Sequence, residues 1–266
     1  MLYCLRGLGG FFYFRHMRSI RIVLGNLWRW WFFLGGVLTF LVLFPFFVIS
    51  LTGDPRYSTC FKLMKLHARL IVMFAGVRTK VISRFTPDKN GTYVYCPNHT
   101  SYLDIVLTYI AISEYFHFMG KVELESVPLF NIFFKKMNIG VNRESIKGSH
   151  KAYMRAITDL EKNISISIFP EATIHACSPQ LGPMKNGAFK LAIEKQVPIV
   201  PVVYIDNWKI LPDVPNRIYG GRPGTARIVV LPPIETKGMT EENLIELKTL
   251  YKSAMEKVMD DFEYGR

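Results

Sequence analysis

The residues with the clearest chemical potential lie in "PNHTSYLD", Pro97 to Asp104, where a histidine and an aspartate stand five residues apart. An imidazole held by a carboxylate keeps one tautomer and presents its other nitrogen as a base. Geometry restricts how His99 and Asp104 can meet. Within one regular helix, five steps of about 100° would place them about 140° apart and out of contact. His99 must therefore lie outside the helix, in the turn that precedes it. Ser101 and Asp104 supply the break, because S-x-x-D is a capping-box pattern with Ser101 as N-cap and Asp104 at N3. Capping accounts for Ser101 and Asp104 without any catalysis, but it does not account for His99. No serine or cysteine here has the surroundings of a nucleophile elbow. A base and an orienting carboxylate without a nucleophile suit a reaction in which a substrate hydroxyl does the attacking.

The elements that must position this pair follow from the pattern after residue 80. Short runs rich in Val, Ile, Tyr and Phe read as strands: "KVISRF", "GTYVYCP", "FHFMGK", "NIGVNR", "ISISIFP", "PIVPVVYI" and "ARIVVLPP". Helical stretches lie between them near Tyr102 to Glu114, Val127 to Met137, Ile146 to Lys162 and Lys185 to Lys195. A final helix is expected from Glu241 to about Glu263, with Thr240 and Asn243 as its cap. Alternating strands and helices predict an α/β fold with a mixed, partly parallel central sheet flanked by helices. His99 then follows a strand, where ligands sit in such sheets. "PDKNG" and "GGRPGT" are turns, and neither they nor "RGLGG" have the strand–loop–helix context of a nucleotide site.

The first third of the chain is different. Eleven basic residues and one acidic residue precede position 81, so this segment carries +10 of the formal net charge of +12. It also holds the longest apolar run, Trp30 to Leu51, 22 residues without a charge. At about 1.5 Å per residue the run extends roughly 33 Å, against a hydrocarbon core of about 30 Å. Trp28, Trp30 and Trp31 at its start suit a headgroup-level belt. Basic residues on both sides leave orientation open between a spanning helix and a re-entrant one bent at Pro45. Cys60 to Val77 reads as an amphipathic helix lying in the interface, the alternative being an ordinary core helix that follows a single spanning anchor. A basic protein often binds nucleic acid, but charge beside lipid-grade apolar sequence excludes that partner here. The four cysteines, Cys4, Cys60, Cys96 and Cys177, have no metal-ligand spacing and read as reduced thiols of a cytoplasmic domain. Two parts are expected: membrane-anchoring helices over 1–80 and an α/β domain over 81–266.

Four segments in order carry a family resemblance. "NHTSYLD" resembles the NHxxxxD motif of the glycerolipid acyltransferases, "IGVNR" their second motif, "IFPEATIH" their FPEGTRS motif, and "VPIVPV" their fourth. "PMKNGAFKLAI" is similar to the helix between the last two. The match covers roughly Tyr95 to Val203 and is nearest to the lysophosphatidic acid (1-acylglycerol-3-phosphate) acyltransferase type. The resemblance implies that His99 takes the proton of a glycerol hydroxyl while Asp104 orients it. It implies acceptor binding by Lys121, Arg143 and the third-motif residues Glu171, Ala172 and Thr173. It further implies no cofactor or metal, a lysophospholipid acceptor, and acyl-CoA or acyl carrier protein as acyl donor at the cytoplasmic face of a membrane.

The third motif departs from the family's. Ala172 replaces the usual Gly, so the turn is expected to stay in a backbone region that alanine accepts. Ile174 and His175 replace the usual Arg-Ser, which removes one phosphate donor. Either Arg143 and Lys121 suffice, or the acceptor is another lysolipid such as a lyso amino-acid lipid. A protein of a different class, an inactive lipid binder with a vestigial site, is disfavoured by the intact His99, Asp104, Arg143 and Glu171.

Overall fold

The computed structural model describes residues 6–52, 57–88, 90–213 and 220–262, with side chains from residue 20 onward. Cys4, Asp54, Arg56 and the expected helix end at Glu263 lie outside the described residues. In chain order the elements are α1 (Arg6–Leu51), α2 (Tyr57–Phe74), β1 (Arg78–Ser83), β2 (Val94–Pro97), α3 (Leu103–Ala111) and β3 (Phe116–Lys121). Then come α4 (Asn131–Lys136), β4 (Ile139–Val141), α5 (Ile146–Glu161), β5 (Ser165–Ile168), α6 (Gly187–Lys195) and β6 (Ile199–Tyr204). The chain closes with α7 (Asn207–Ile210), β7 (Thr225–Val230) and α8 (Leu244–Asp261).

The seven strands form one sheet in the order β1-β7-β6-β2-β5-β3-β4. From β6 to β4 every pairing is parallel, whereas β7 runs antiparallel to β6 and parallel to β1. The fold is therefore α/β with a mixed sheet, as expected. Strands β2, β5 and β6 are buried along their whole length, as apolar strands covered on both faces must be. Strand β1 lies at the sheet edge and exposes Arg78 and Lys80, charges that discourage a further strand from pairing there.

Alternation along the strands builds two cores. Val94, Cys96, Ile199, Val203 and Val229 face α5, α6 and α8. Tyr95, Val200, Val202, Ile228 and Val230 face α2, α3 and the Phe32 region of α1. The thiols of Cys60 and Cys96 are free and buried, and Cys177 is free and exposed.

Helices α1 and α2 run antiparallel: Trp31 Nε1 donates to Phe74 O at 3.0 Å, and His67 Nε2 meets Gly36 O at 3.1 Å. Phe74 occupies the space a side chain at Gly35 would fill and stacks on Trp31 at 4.3 Å. Helix α1 continues through Pro45, so the chain reverses after Leu51 and not at the proline. The apolar face of α2, Cys60, Phe61, Met64, Ala68, Ile71 and Val72, is buried in protein. Its amphipathic pattern is thus explained by packing. Ile20–Leu51 is long and apolar enough to cross a membrane.

Candidate active site

Because β2, β3, β4, β5 and β6 are parallel, their C-terminal ends lie along one edge of the sheet. His99 follows β2, Lys121 ends β3, Arg143 follows β4, Glu171 follows β5, and Asn207 follows β6. Topology alone brings scattered sequence segments to the edge where α/β sheets bind ligands.

His99 Nδ1 lies 3.0 Å from Asp104 Oδ2. A carboxylate only accepts, so the hydrogen sits on Nδ1 and Nε2 is left as the basic nitrogen. The same Oδ2 accepts the backbone N–H of Thr100 at 2.6 Å and of Ser101 at 2.8 Å. Helix α3 is assigned from Leu103, with no side-chain bond at its N-cap Tyr102. One residue earlier, Ser101 Oγ accepts from Leu103 N at 3.0 Å while Asp104 accepts from Ser101 N. Only half of the reciprocal bonding expected of Ser101 and Asp104 is present: Asp104 N goes to the Ser101 carbonyl and not to Ser101 Oγ, while the bond from Ser101 N turns the carboxylate back toward His99. Asp104 is fully buried, whereas the His99 side chain keeps 13% exposure. The imidazole stacks on the Phe169 ring at 4.1 Å, which limits its rotation.

Glu171 is buried, and both its oxygens are engaged by backbone. Oε1 accepts from His99 N at 2.8 Å and Oε2 from Gly182 N at 2.7 Å. Burial pushes its carboxyl above the ordinary value, and those two N–H groups act in the opposite direction. Glu171 thus ties the His99 turn to the loop that covers it. No side chain fits at Gly182, because a Cβ there would meet the His175 ring at 2.1 Å and Glu171 Oε2 at 2.9 Å. His175 Nε2 contacts Glu171 O at 3.3 Å, a structural placement.

Ala172 adopts φ +65°, so the turn does not stay where alanine is at ease; the left-handed conformation of a glycine is kept with a Cβ in place. The Arg143 guanidinium donates to the Ala172 carbonyl, joining the second and third segments. Burial lowers the Arg143 pKa, with Glu123 acting against that. Lys121 is exposed and pairs with Glu123 at 2.9 Å, and Thr173 is exposed. A cavity of about 610 Å³ opens beside these residues, walled by Met119, Val141, Ile168, Phe169 and Leu191, with Arg143 and Ala172 also in its lining. That volume lies in the range of small-molecule sites. The apolar wall and the cation together suit an amphiphile with an anionic head.

Sequence reasoning missed three supports of this site. Asn98 holds β2 to β6 by donating to Tyr204 O at 3.3 Å and accepting from Tyr204 N at 2.8 Å. Asn207 Nδ2 donates to Asp104 Oδ1 at 2.7 Å, and Leu211 O accepts from Ser101 Oγ at 2.6 Å. The contacts to Asp104 and Ser101 each span more than 100 residues, and no local pattern announces them.

Residues 78–205 match the family model described as acyltransferase. The chain is 31% identical over 226 residues to an uncharacterized acyltransferase of Schizosaccharomyces pombe, across 82% of this chain and 78% of that protein. It is 30% identical over 168 residues to the 1-acyl-sn-glycerol-3-phosphate acyltransferase of Haemophilus influenzae, across 62% of this chain and 67% of that protein. The crystal structure of the 1-acyl-sn-glycerophosphate acyltransferase PlsC from Thermotoga maritima shares the fold. Its TM-score is 0.70 over 91% of this chain and 97% of that one, at 21% identity.

Proposed function

The chain belongs to the acyltransferase family, and from that premise we propose that it acylates the free hydroxyl of 1-acylglycerol-3-phosphate to give phosphatidic acid. The donor is an acyl thioester, acyl-CoA or acyl carrier protein. His99 Nε2 removes the hydroxyl proton as the oxygen attacks the thioester carbonyl. The tetrahedral intermediate then collapses, the C–S bond breaks, and the departing thiolate takes the proton from the imidazolium. Asp104 accepts the Nδ1–H throughout and holds the ring. General-base assistance of this kind contributes about 10²–10⁴-fold, and alignment of two lipid substrates supplies much of the rest.

The observation that carries this reading is the 3.0 Å His99–Asp104 contact at the C-terminal edge of the sheet, with Nε2 uncommitted among the described residues. Arg143 and Lys121 are the cations for the acceptor phosphate. Ile174 stands where the family motif carries an arginine, and this favours a second acceptor, a lyso amino-acid lipid, as the runner-up. We place α1 in the bilayer and the active site on its cytoplasmic face. The apolar stretch Ile20–Leu51 and the free thiols of Cys60, Cys96 and Cys177 support that placement.

Purified protein supplied with labelled acyl-CoA and lysophosphatidic acid is expected to yield labelled phosphatidic acid. His99→Ala is expected to lose at least about 10²-fold in kcat. Full activity in that variant would sink the mechanism, and turnover confined to a lyso amino-acid lipid would replace the acceptor.

A further inference from the structure

We propose that Asn207 is a positioning residue for acyl transfer, its side-chain amide fixing the Asp104 carboxylate and, through it, the His99 imidazole. The inference rests on the reading of His99 as the base. Asp104 Oδ2 receives three N–H groups, from His99, Thr100 and Ser101. Its Oδ1 has one partner among the described residues, the Asn207 amide at 2.7 Å. Without that bond the carboxylate is held at one oxygen only and can turn about its Cβ–Cγ axis.

The rest of Asn207 makes a merely structural role a poor account of it. The residue is fully buried, yet its Oδ1 finds no partner among the described residues. An unpaired buried carbonyl is unfavourable, and an apolar side chain of similar size would avoid it. What the amide supplies that such a residue lacks is the N–H aimed at Asp104. The amide's orientation is fixed by its partner, since a carboxylate presents only acceptors.

The backbone around Asn207 is anchored as a positioning role requires. Asp206 grips Arg227 with both oxygens at 2.7 Å, and Leu211 N closes the turn onto Asn207 O at 2.9 Å. Leu211 O in turn accepts from Ser101 Oγ at 2.6 Å, so one short segment touches the catalytic turn twice. Asn207 lies just beyond the matched region, 78–205, and outside all four sequence motifs.

The charged and titratable groups around the pair are Glu171 at the His99 backbone, Asp213 with Arg29, and Tyr204 beside Asp104. None of them changes in the test. Asn207→Leu removes the donor and keeps the bulk. Its kcat is expected to fall about 10–100-fold, the scale seen when a supporting hydrogen bond behind a functional side chain is lost. KM for both substrates should stay within about twofold, because the fully buried residue presents no surface to either. The rising limb of the pH–kcat profile should move to higher pH, because an Asp104 carboxylate with one donor fewer favours the imidazolium more strongly. Asn207→Asp keeps the shape and sets an acceptor against Asp104, so its deficit should grow as pH rises.

If both variants retain kcat within about twofold with an unmoved limb, the inference is wrong. It is equally wrong if the lost activity matches lost folded protein on thermal unfolding and the limb stays in place. His99→Ala separates the layers: if it is inactive while the Asn207 variants are normal, only this inference falls. An active His99→Ala overturns the base and, with it, the positioning role.

Discussion

At the scale of single residues, the site is a set of short polar contacts whose partners were only partly legible in the sequence. His99 and Asp104 could be paired on paper because the capping arithmetic forced the imidazole out of the helix. Asn207 could not, because its partner lies 103 positions away and nothing local marks the contact. Ala172 shows a different limit. The sequence favoured a turn comfortable for alanine, yet the residue holds φ +65°. The Arg143 guanidinium on its carbonyl and the Ala172 N–H to Phe169 O at 3.0 Å keep the turn in that shape. A left-handed Cβ costs about 1–2 kcal/mol, so Ala172→Gly is expected to stabilise the protein by about 1 kcal/mol. In a thermal melt that corresponds to a midpoint rise of about 2–4 °C, and a lowered midpoint would show that the turn is not strained.

At the scale of elements, all seven strands were readable as β-branched and aromatic runs, mostly bounded by Gly, Pro or Asn. Their order was not, since crossovers leave no local trace. Nor was the reversal at β7, whose "ARIVVL" pattern looks like that of any buried parallel strand. How β3 and α5 are locked together was equally invisible. His117 on β3 and Asp159 on α5 meet at 2.7 Å in the interior, flanked by Tyr115 at 2.7 Å and Arg155 at 3.0 Å. Burial is the largest influence on the Asp159 carboxyl and pushes it up. Bonds and charge from His117 and Arg155 together bring it below its ordinary value. A carboxyl with a depressed native pKa adds stability that is fully present above its unfolded value of about 3.9 and is lost as pH falls through the native value. Asp159→Asn is expected to cost about 1–3 kcal/mol at pH 7, because an amide with one acceptor oxygen replaces a carboxylate whose two oxygens serve His117 and Arg155. The variant should also lose less than the parent on acidification below about pH 4. Urea melts in detergent at pH 7 and pH 3.5 measure both effects, and parallel acid slopes for the two proteins would refute the assignment.

At the scale of the whole molecule, the first eighty residues do more than their composition announced. Apolar length and basic charge marked out a segment long enough to cross a membrane, and the outward face of α1 is open, with Trp30, Val42 and Ile49 each at least 70% exposed. Its inward face could not be read, because both faces are apolar and only the tertiary contacts tell them apart. Phe32 joins the core around Tyr95, Leu103 and Leu107, so α1 shares a hydrophobic cluster with the helix that carries Asp104. Arg29 donates to Pro212 O at 2.6 Å and to Asp213 at 3.0 Å, at the end of the segment that begins with Asn207. One turn earlier, α1 meets the backbone before β7 so closely that a Cβ on Gly25 would lie 2.6 Å from the Gly220 Cα. Only a residue without a side chain permits this approach. Gly25→Val must push α1 away from Gly220, at about 1–3 kcal/mol for the overpacking. The disturbance should reach the Arg29 contacts and then the Asn207–Leu211 brace. Acylation of lysophosphatidic acid is therefore expected to fall together with the melting midpoint, although residue 25 lies far from His99 in sequence. Assays in detergent and in lipid vesicles can be compared with a Leu41→Val control on the exposed face of α1. Parent-like stability and turnover in Gly25→Val would mean that α1 is mechanically separate from the His99 turn.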